Sequence, residues 1–83
     1  MITLHYFANL RETLGTDSEE LIWQQELNTV TSLKHYLSSR ANQWSCFSSS
    51  STILTAINQK IANDNDPISD GDEIAFFPPV TGG

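Results

Sequence analysis

The chain ends Phe76-Phe77-Pro78-Pro79-Val80-Thr81-Gly82-Gly83, and its last carboxylate is the group best placed to do chemistry. With glycine at about 7% of residues, two at the end arise by chance in only about 0.5% of chains. An ordinary frayed terminus is the bland alternative. The setting argues for more. A diproline supplies no backbone donors and fixes the direction in which the chain leaves. The four residues that follow can reach about 13–14 Å when extended. The final two carry no side chain, so they can pass a channel too narrow for a Cβ. Such a tail suits delivery of a carboxylate into another protein's active site. A free carboxylate is a poor electrophile and must first be activated, most simply as an acyl-adenylate. A sulfur or amine nucleophile can then displace AMP.

Other chemistry-bearing residues form no comparable arrangement. Cys46 lies beside Phe47 and a serine run, with no helix N-terminus or cation to lower its pKa. An inert small side chain at a loop edge is the simpler reading. His5 and His35 stand thirty residues apart, without the short spacing of zinc ligands. The acidic stretch Asp64, Asp66, Asp70, Asp72 and Glu73 invites a calcium reading. Begun at Asp64, an EF-hand loop would place Ile68, Ser69 and Ala75 at positions five, six and twelve. Begun at Asp66, it places Ile68 at three and Phe77 at twelve. Neither register joins the turn glycine to a bidentate carboxylate, so a solvated turn fits better. There is no P-loop, dinucleotide fingerprint or Ser/His/Asp elbow. The chain is expected not to be a catalyst on its own.

Length and charge narrow the class further. Eighty-three residues make one small domain, and 39% hydrophobic against 17% charged is a globular balance. Ten acidic residues against four Lys/Arg give a net charge of −6, which argues against nucleic acid and against an anionic membrane surface. No apolar run approaches the roughly 20 residues needed to span a bilayer. The opening residues also lack the pattern of a signal peptide. A single cysteine can form no internal disulfide, and a cytoplasmic location is expected.

The elements that must carry the tail can be read from periodicity. Ile2, Leu4 and Tyr6 alternate with Thr3, His5 and Phe7, the pattern of a half-buried strand. Ala8 to Leu14 suggests a short helical turn closed by Gly15 in the left-handed region. Leu21, Ile22 and Trp23 form a second strand candidate. Thr29 is a reasonable cap for a helix whose face is Val30, Leu33, Leu37, Ala41 and Trp44. Residues 42–52, with Ser48-Ser49-Ser50-Ser51, look like a flexible loop. Ile53, Leu54, Ala56 and Ile57 make a third strand, Lys60 to Ala62 a short edge strand, and Glu73 to Phe77 the last. Turn residues fill 63–71. The order is α+β, with one long helix laid across a mixed sheet.

Two aromatics look left over. Phe7 falls on the opposite strand face from Ile2, Leu4 and Tyr6, and of the adjacent Phe76 and Phe77 only one can point into a one-sided core. Either the outward rings anchor an interface, or the short helix covers that face.

Three stretches resemble the MoaD family, the small subunits of molybdopterin synthase. They are Tyr6-Phe7-Ala8-Asn9-Leu10-Arg11-Glu12, Ala56-Ile57-Asn58, and the ending Asp70-Gly71-Asp72-Glu73-Ile74-Ala75-Phe76-Phe77-Pro78-Pro79-Val80-Thr81-Gly82-Gly83. The resemblance spans nearly the whole chain and is densest at its end. It implies a ubiquitin-like β-grasp domain over residues 1–79 and a flexible Gly-Gly tail over 80–83. It also implies an E1-like adenylyltransferase of the MoeB type, which uses ATP to adenylate Gly83. Sulfur is then installed as a C-terminal thiocarboxylate. A large subunit of the MoaE type receives the tail and passes the sulfur to cyclic pyranopterin monophosphate, building a dithiolene. Synthases of this family are usually heterotetramers.

Carried over by position, Gly83 is the reactive terminus, first a glycyl adenylate and then a thioglycine, and Gly82 is its thin neighbour. Val80 and Thr81 belong to the inserted tail. Phe7, Arg11, Ile61 and Phe77 correspond to the partner interface. No bound cofactor or metal is implied. The Ser48–Ser51 loop matches no family feature. Related alternatives are a β-grasp sulfur carrier for thiamine synthesis or tRNA thiolation, and a ubiquitin-like modifier joined to lysines.

Overall fold

Alternation in the first residues produces strand β1 (Ile2–Tyr6), with Ile2, Leu4 and Tyr6 buried and Thr3 and His5 half-buried. The computed structural model describes residues 1–40, 44, 47 and 53–78. Helix α1 (Asn9–Leu14) follows and ends, as expected, on Gly15 at φ 76°, whose N–H donates to Arg11 O at 3.0 Å. Strand β2 (Ser18–Leu21), helix α2 (Val30–Ser38), β3 (Leu54–Ile57), β4 (Lys60–Ala62) and β5 (Glu73–Phe77) follow in the described elements, with a 3-10 turn at Gln25–Leu27.

The five strands form one sheet in the order β2-β1-β5-β3-β4. At its centre β1 and β5, the first and last strands, run parallel, while the other pairs are antiparallel. Parallel neighbours need a crossover, and α2 provides it across one face. Its Val30, Leu33 and Leu37 are buried in one cluster with Ile2, Leu4, Tyr6, Ile74 and Phe76. This is the β-grasp arrangement that the resemblance implies, a mixed sheet with the longer helix packed across it.

Two elements differ from the periodicity reading. The second strand is Ser18–Leu21 rather than Leu21 to Trp23, because its register with β1 pairs His5 with Ser18 and Ile2 with Leu21. Ile22 beyond it is exposed, and Trp23 instead donates from Nε1 to Ile68 O at 3.2 Å. The long helix begins as expected, with Thr29 Oγ1 accepting from Ser32 N at 3.1 Å. It stops at Ser38 rather than continuing through Trp44. There Ser38 Oγ donates to His35 O at 2.8 Å and Ser39 Oγ to Tyr36 O at 2.7 Å. Such back-bonding offers the terminal carbonyls a partner other than the next turn. Trp44 still reaches the core. Ala41, Cys46, the Ser48–Ser51 loop and the expected boundary at 79/80 lie outside the described residues.

The acidic stretch serves its own turns. Asp66 Oδ2 accepts from Asn63 N at 2.9 Å, and Asp72 Oδ2 from Ser69 N at 2.8 Å. Asp64 Oδ1 accepts from Lys34 Nζ at 3.0 Å. Carbonyls of the same segment cap α2, since Val30 N donates to Asp66 O at 3.1 Å and Thr31 N to Asp64 O at 2.9 Å. These bonds satisfy donors that every helix start leaves open.

Arg40 clamps β2 from beyond the helix. Each of its terminal nitrogens donates to one Glu19 oxygen at 2.9 Å, and the Tyr6 hydroxyl donates to Glu19 Oε2 at 2.9 Å. Burial pushes the Glu19 carboxyl up. The Arg40 and Tyr6 hydrogen bonds and the Arg40 charge outweigh it, holding the group below its ordinary value. A carboxylate whose folded pKa is lowered adds stability above its unfolded value and loses it as pH falls through the folded one. Glu19→Gln should therefore cost about 1–2 kcal/mol at neutral pH. Its deficit relative to wild type should shrink in acid, as pH falls through the lowered folded pKa and the wild-type carboxyl also takes up a proton. Urea unfolding of both proteins at neutral and at acidic pH checks this, and an undiminished deficit in acid would rule out the ion pair as its source.

Candidate functional site

Cross-strand pairing builds the sheet's outer face in rows, because directly paired residues point the same way. One row runs His5, Ala75, Ala56, Ile61 across β1, β5, β3 and β4. The next, nearer the end of β5, pairs Phe77 with Leu54 and sets Phe7 beside them. Phe7 and Phe77 stack with centroids 4.8 Å apart and planes 7° from parallel. Phe76 turns inward and is fully buried. Adjacent phenylalanines thus divide between the two faces, as alternation requires.

Among the described residues no helix covers this outer side. Phe7 is 44% exposed, Leu54 46% and Ile61 75%, a contiguous apolar surface rather than scattered single residues. Between the large side chains lies an open groove of about 470 Å³, lined by His5, Phe7, Gln59, Ile61, Glu73 and Phe77. Ala56 and Ala75 also line it, so its depth comes from two methyl groups set among longer neighbours. His5 Nε2 and Glu73 Oε2, 3.3 Å apart, give the groove a polar rim.

The root of the tail is fixed to this surface. Phe7 N donates to Phe76 O at 3.2 Å, extending the parallel ladder one residue past β1. At the opposite end of β5, Asn58 clips the hairpin to the strand. Its backbone N donates to Glu73 O at 2.8 Å, and its Oδ1 accepts from Glu73 N at 3.0 Å. Its Nδ2 donates to Asp72 Oδ1 at 3.0 Å. The strand that leads to the tail is therefore held at both ends.

Of the residues singled out from the sequence, Phe7, Ile61 and Phe77 come together on this face. Arg11 does not line the groove; it lies exposed on α1, one turn beyond Phe7. Lys34 and Arg40 are engaged by Asp64 and Glu19, whereas among the described residues Arg11 and Lys60 have no side-chain partner. Val80, Thr81, Gly82 and Gly83 lie outside the described residues. Leu54, Ala56, Ala75, Gln59 and the His5–Glu73 rim were not anticipated. Alternation gives each of them a face, but only the β3–β5 register shows that the faces coincide.

The family model of ThiS matches residues 4–83. A molybdopterin synthase sulfur carrier subunit from Escherichia coli (strain K12) is 39% identical over 83 residues, covering 100% of both chains. One from Haemophilus influenzae (strain ATCC 51907 / DSM 11121 / KW20 / Rd) is 35% identical over the same full length. Among solved structures, the complex of subunits 1 and 2 of molybdopterin-converting factor from Helicobacter pylori 26695 contains a chain of the same fold. That chain superposes with a TM-score of 0.65 at 22% identity, covering 99% of this chain and 97% of its own. End-to-end identity at this level, together with the matching fold, places the chain in the ThiS family, alongside molybdopterin synthase sulfur carrier subunits.

Proposed function

We propose that this chain carries sulfur on its C-terminal carbonyl for the synthesis of molybdopterin. In the first step a carboxylate oxygen of Gly83 attacks the α-phosphorus of ATP, held by an E1-like adenylyltransferase of the MoeB type, and pyrophosphate leaves. Hydrosulfide then adds to the acyl carbonyl, the C–O bond to AMP breaks and AMP departs, and loss of the proton on sulfur leaves the thiocarboxylate. The outer face docks on the large, MoaE-type subunit, and Val80, Thr81, Gly82 and Gly83 enter its active site. There the sulfur passes to cyclic pyranopterin monophosphate. The chain itself binds no metal or cofactor, works in the cytoplasm and catalyses nothing alone.

One observation carries this reading: the exposed apolar face culminates in Phe77, directly before the diproline and the Gly-Gly end. Docking through Phe7, Ile61 and Phe77 would aim the tail in a single direction. Arg11, exposed beside Phe7, would meet partner carboxylates at the rim, where charge guides encounter more than it sets affinity. The relatives' shared name and the subunit pair from Helicobacter pylori support the same assignment.

Reconstitution tests it. The chain, treated with a MoeB-type enzyme, ATP and sulfide, is mixed with the large subunit and cyclic pyranopterin monophosphate. Dithiolene should form, and only when ATP was present in the first stage. Thiocarboxylated chain that yields no dithiolene would exclude this synthase.

A further inference from the structure

The groove on the outer face is apolar along most of its length and anionic at one end. Its floor is the methyl groups of Ala56 and Ala75, with exposed Ile61 and the stacked Phe7 and Phe77 around them. The anionic end is Glu73, whose side chain is 52% exposed. At about 3.3 Å per residue, β5 sets Glu73 roughly 13 Å from Phe77 and the root of the tail.

Among the described residues the Glu73 carboxylate meets one side chain, His5 Nε2 at 3.3 Å. A second carboxylate stands in the same row, because Glu20 and Glu73 flank Thr3 in the pairings of β1 with β2 and β5. The cations of the described residues are placed elsewhere. Lys34 is held by Asp64 and Arg40 by Glu19. Lys60 pairs with Ile57 and so alternates to the side opposite Ile61. Arg11 lies on α1, at the tail end of the face.

In the free chain water solvates Glu73. When the face closes on a partner that water is lost, and a carboxylate buried without sufficient pairing opposes binding. A long side chain with an apolar stem and a cationic tip satisfies both parts of the groove at once. We propose that the large subunit inserts an arginine or lysine side chain here, its stem over Ala56 and Ala75 and its head on the Glu73 carboxylate. The inference rests on the docking reading given above and adds to it the chemistry of the partner's surface. It also gives docking a polarity. Arg11 takes an anion at the tail end and Glu73 a cation at the other, so a reversed approach sets like charges together.

Calorimetry with the purified large subunit tests this, run at about pH 8, above the range in which histidine ordinarily carries charge. Glu73→Gln keeps the side chain's shape and the backbone bonds to Asn58. It should weaken Kd about tenfold or more, because the partner's cation is left facing an amide. Raising salt from about 0.15 M to about 1 M should shrink that deficit. Glu26→Gln, in the exposed 3-10 turn that leads into α2, removes the same charge and should change Kd by less than about twofold. Ala75→Leu fills the floor and should weaken Kd about tenfold or more at both salt concentrations. Wild-type affinity in either groove variant overturns the proposal. So does an equal loss with Glu26→Gln, which would make the effect one of net charge. A Glu73→Gln deficit present at about pH 6 and absent at about pH 8 makes His5 the cation, which also overturns it. If Phe77→Glu binds like wild type, the docking face itself falls. If Phe77→Glu fails to bind while both groove variants bind normally, only the inserted cation is refuted.

Discussion

Deletion of Gly83 is expected to abolish sulfur transfer while leaving the melting temperature within experimental error of wild type. The two effects are expected to separate because the described core is built from residues between Ile2 and Phe76. Transfer depends on where the last carbonyl sits. Removing one residue draws it back by about 3.3–3.6 Å, whereas a displacement of about 1 Å already costs on the order of 100-fold in a positioned reaction. Appending a residue after Gly83 is as harmful, since the activated carbonyl would then belong to the wrong residue. Dithiolene formation with either variant, assayed with purified partners, would refute the carboxylate mechanism.

Phe77→Glu should weaken binding of the large subunit on the order of 100-fold or more, as removal of a central aromatic anchor does. The substitution removes the ring that stacks on Phe7 and sets a carboxylate in the middle of the apolar face. Buried against a partner with nothing to pair with, that charge opposes docking. In the free chain it meets water, because Phe77 is only half-buried there. The folded state loses chiefly the ring stacking, about 0.5–1.5 kcal/mol. Titration calorimetry alongside urea unfolding separates the two quantities. Unchanged affinity would remove Phe77 from the interface.

Much of this is legible in the sequence. Period-2 alternation located β1 and β5, Gly15 ended α1, and the division of Phe76 from Phe77 followed from the pleat alone. What local pattern could not supply was pairing. Glu19 and Arg40 stand twenty-one residues apart, and nothing in either neighbourhood announces a bidentate ion pair. The second strand was misplaced because Leu21, Ile22 and Trp23 look more strand-like than Ser18-Glu19-Glu20. The actual strand is chosen by its register with β1, and by a glutamate that can stay charged beside Arg40. The helix was read too long because Trp44 falls in phase with Leu33 and Leu37 although the helix has already ended. Ala56 and Ala75 are inconspicuous in the sequence, yet their smallness shapes the groove.

The central claim is that the working atom of this protein is the carbonyl carbon of Gly83. Intact-mass spectrometry of the chain after treatment with the MoeB-type enzyme, ATP and a sulfur source tests it most directly. The account predicts a gain equal to replacing one oxygen by sulfur, confined to the C-terminal peptide and absent without ATP. An unchanged mass, or a gain mapped to Cys46 or a lysine instead, would contradict it.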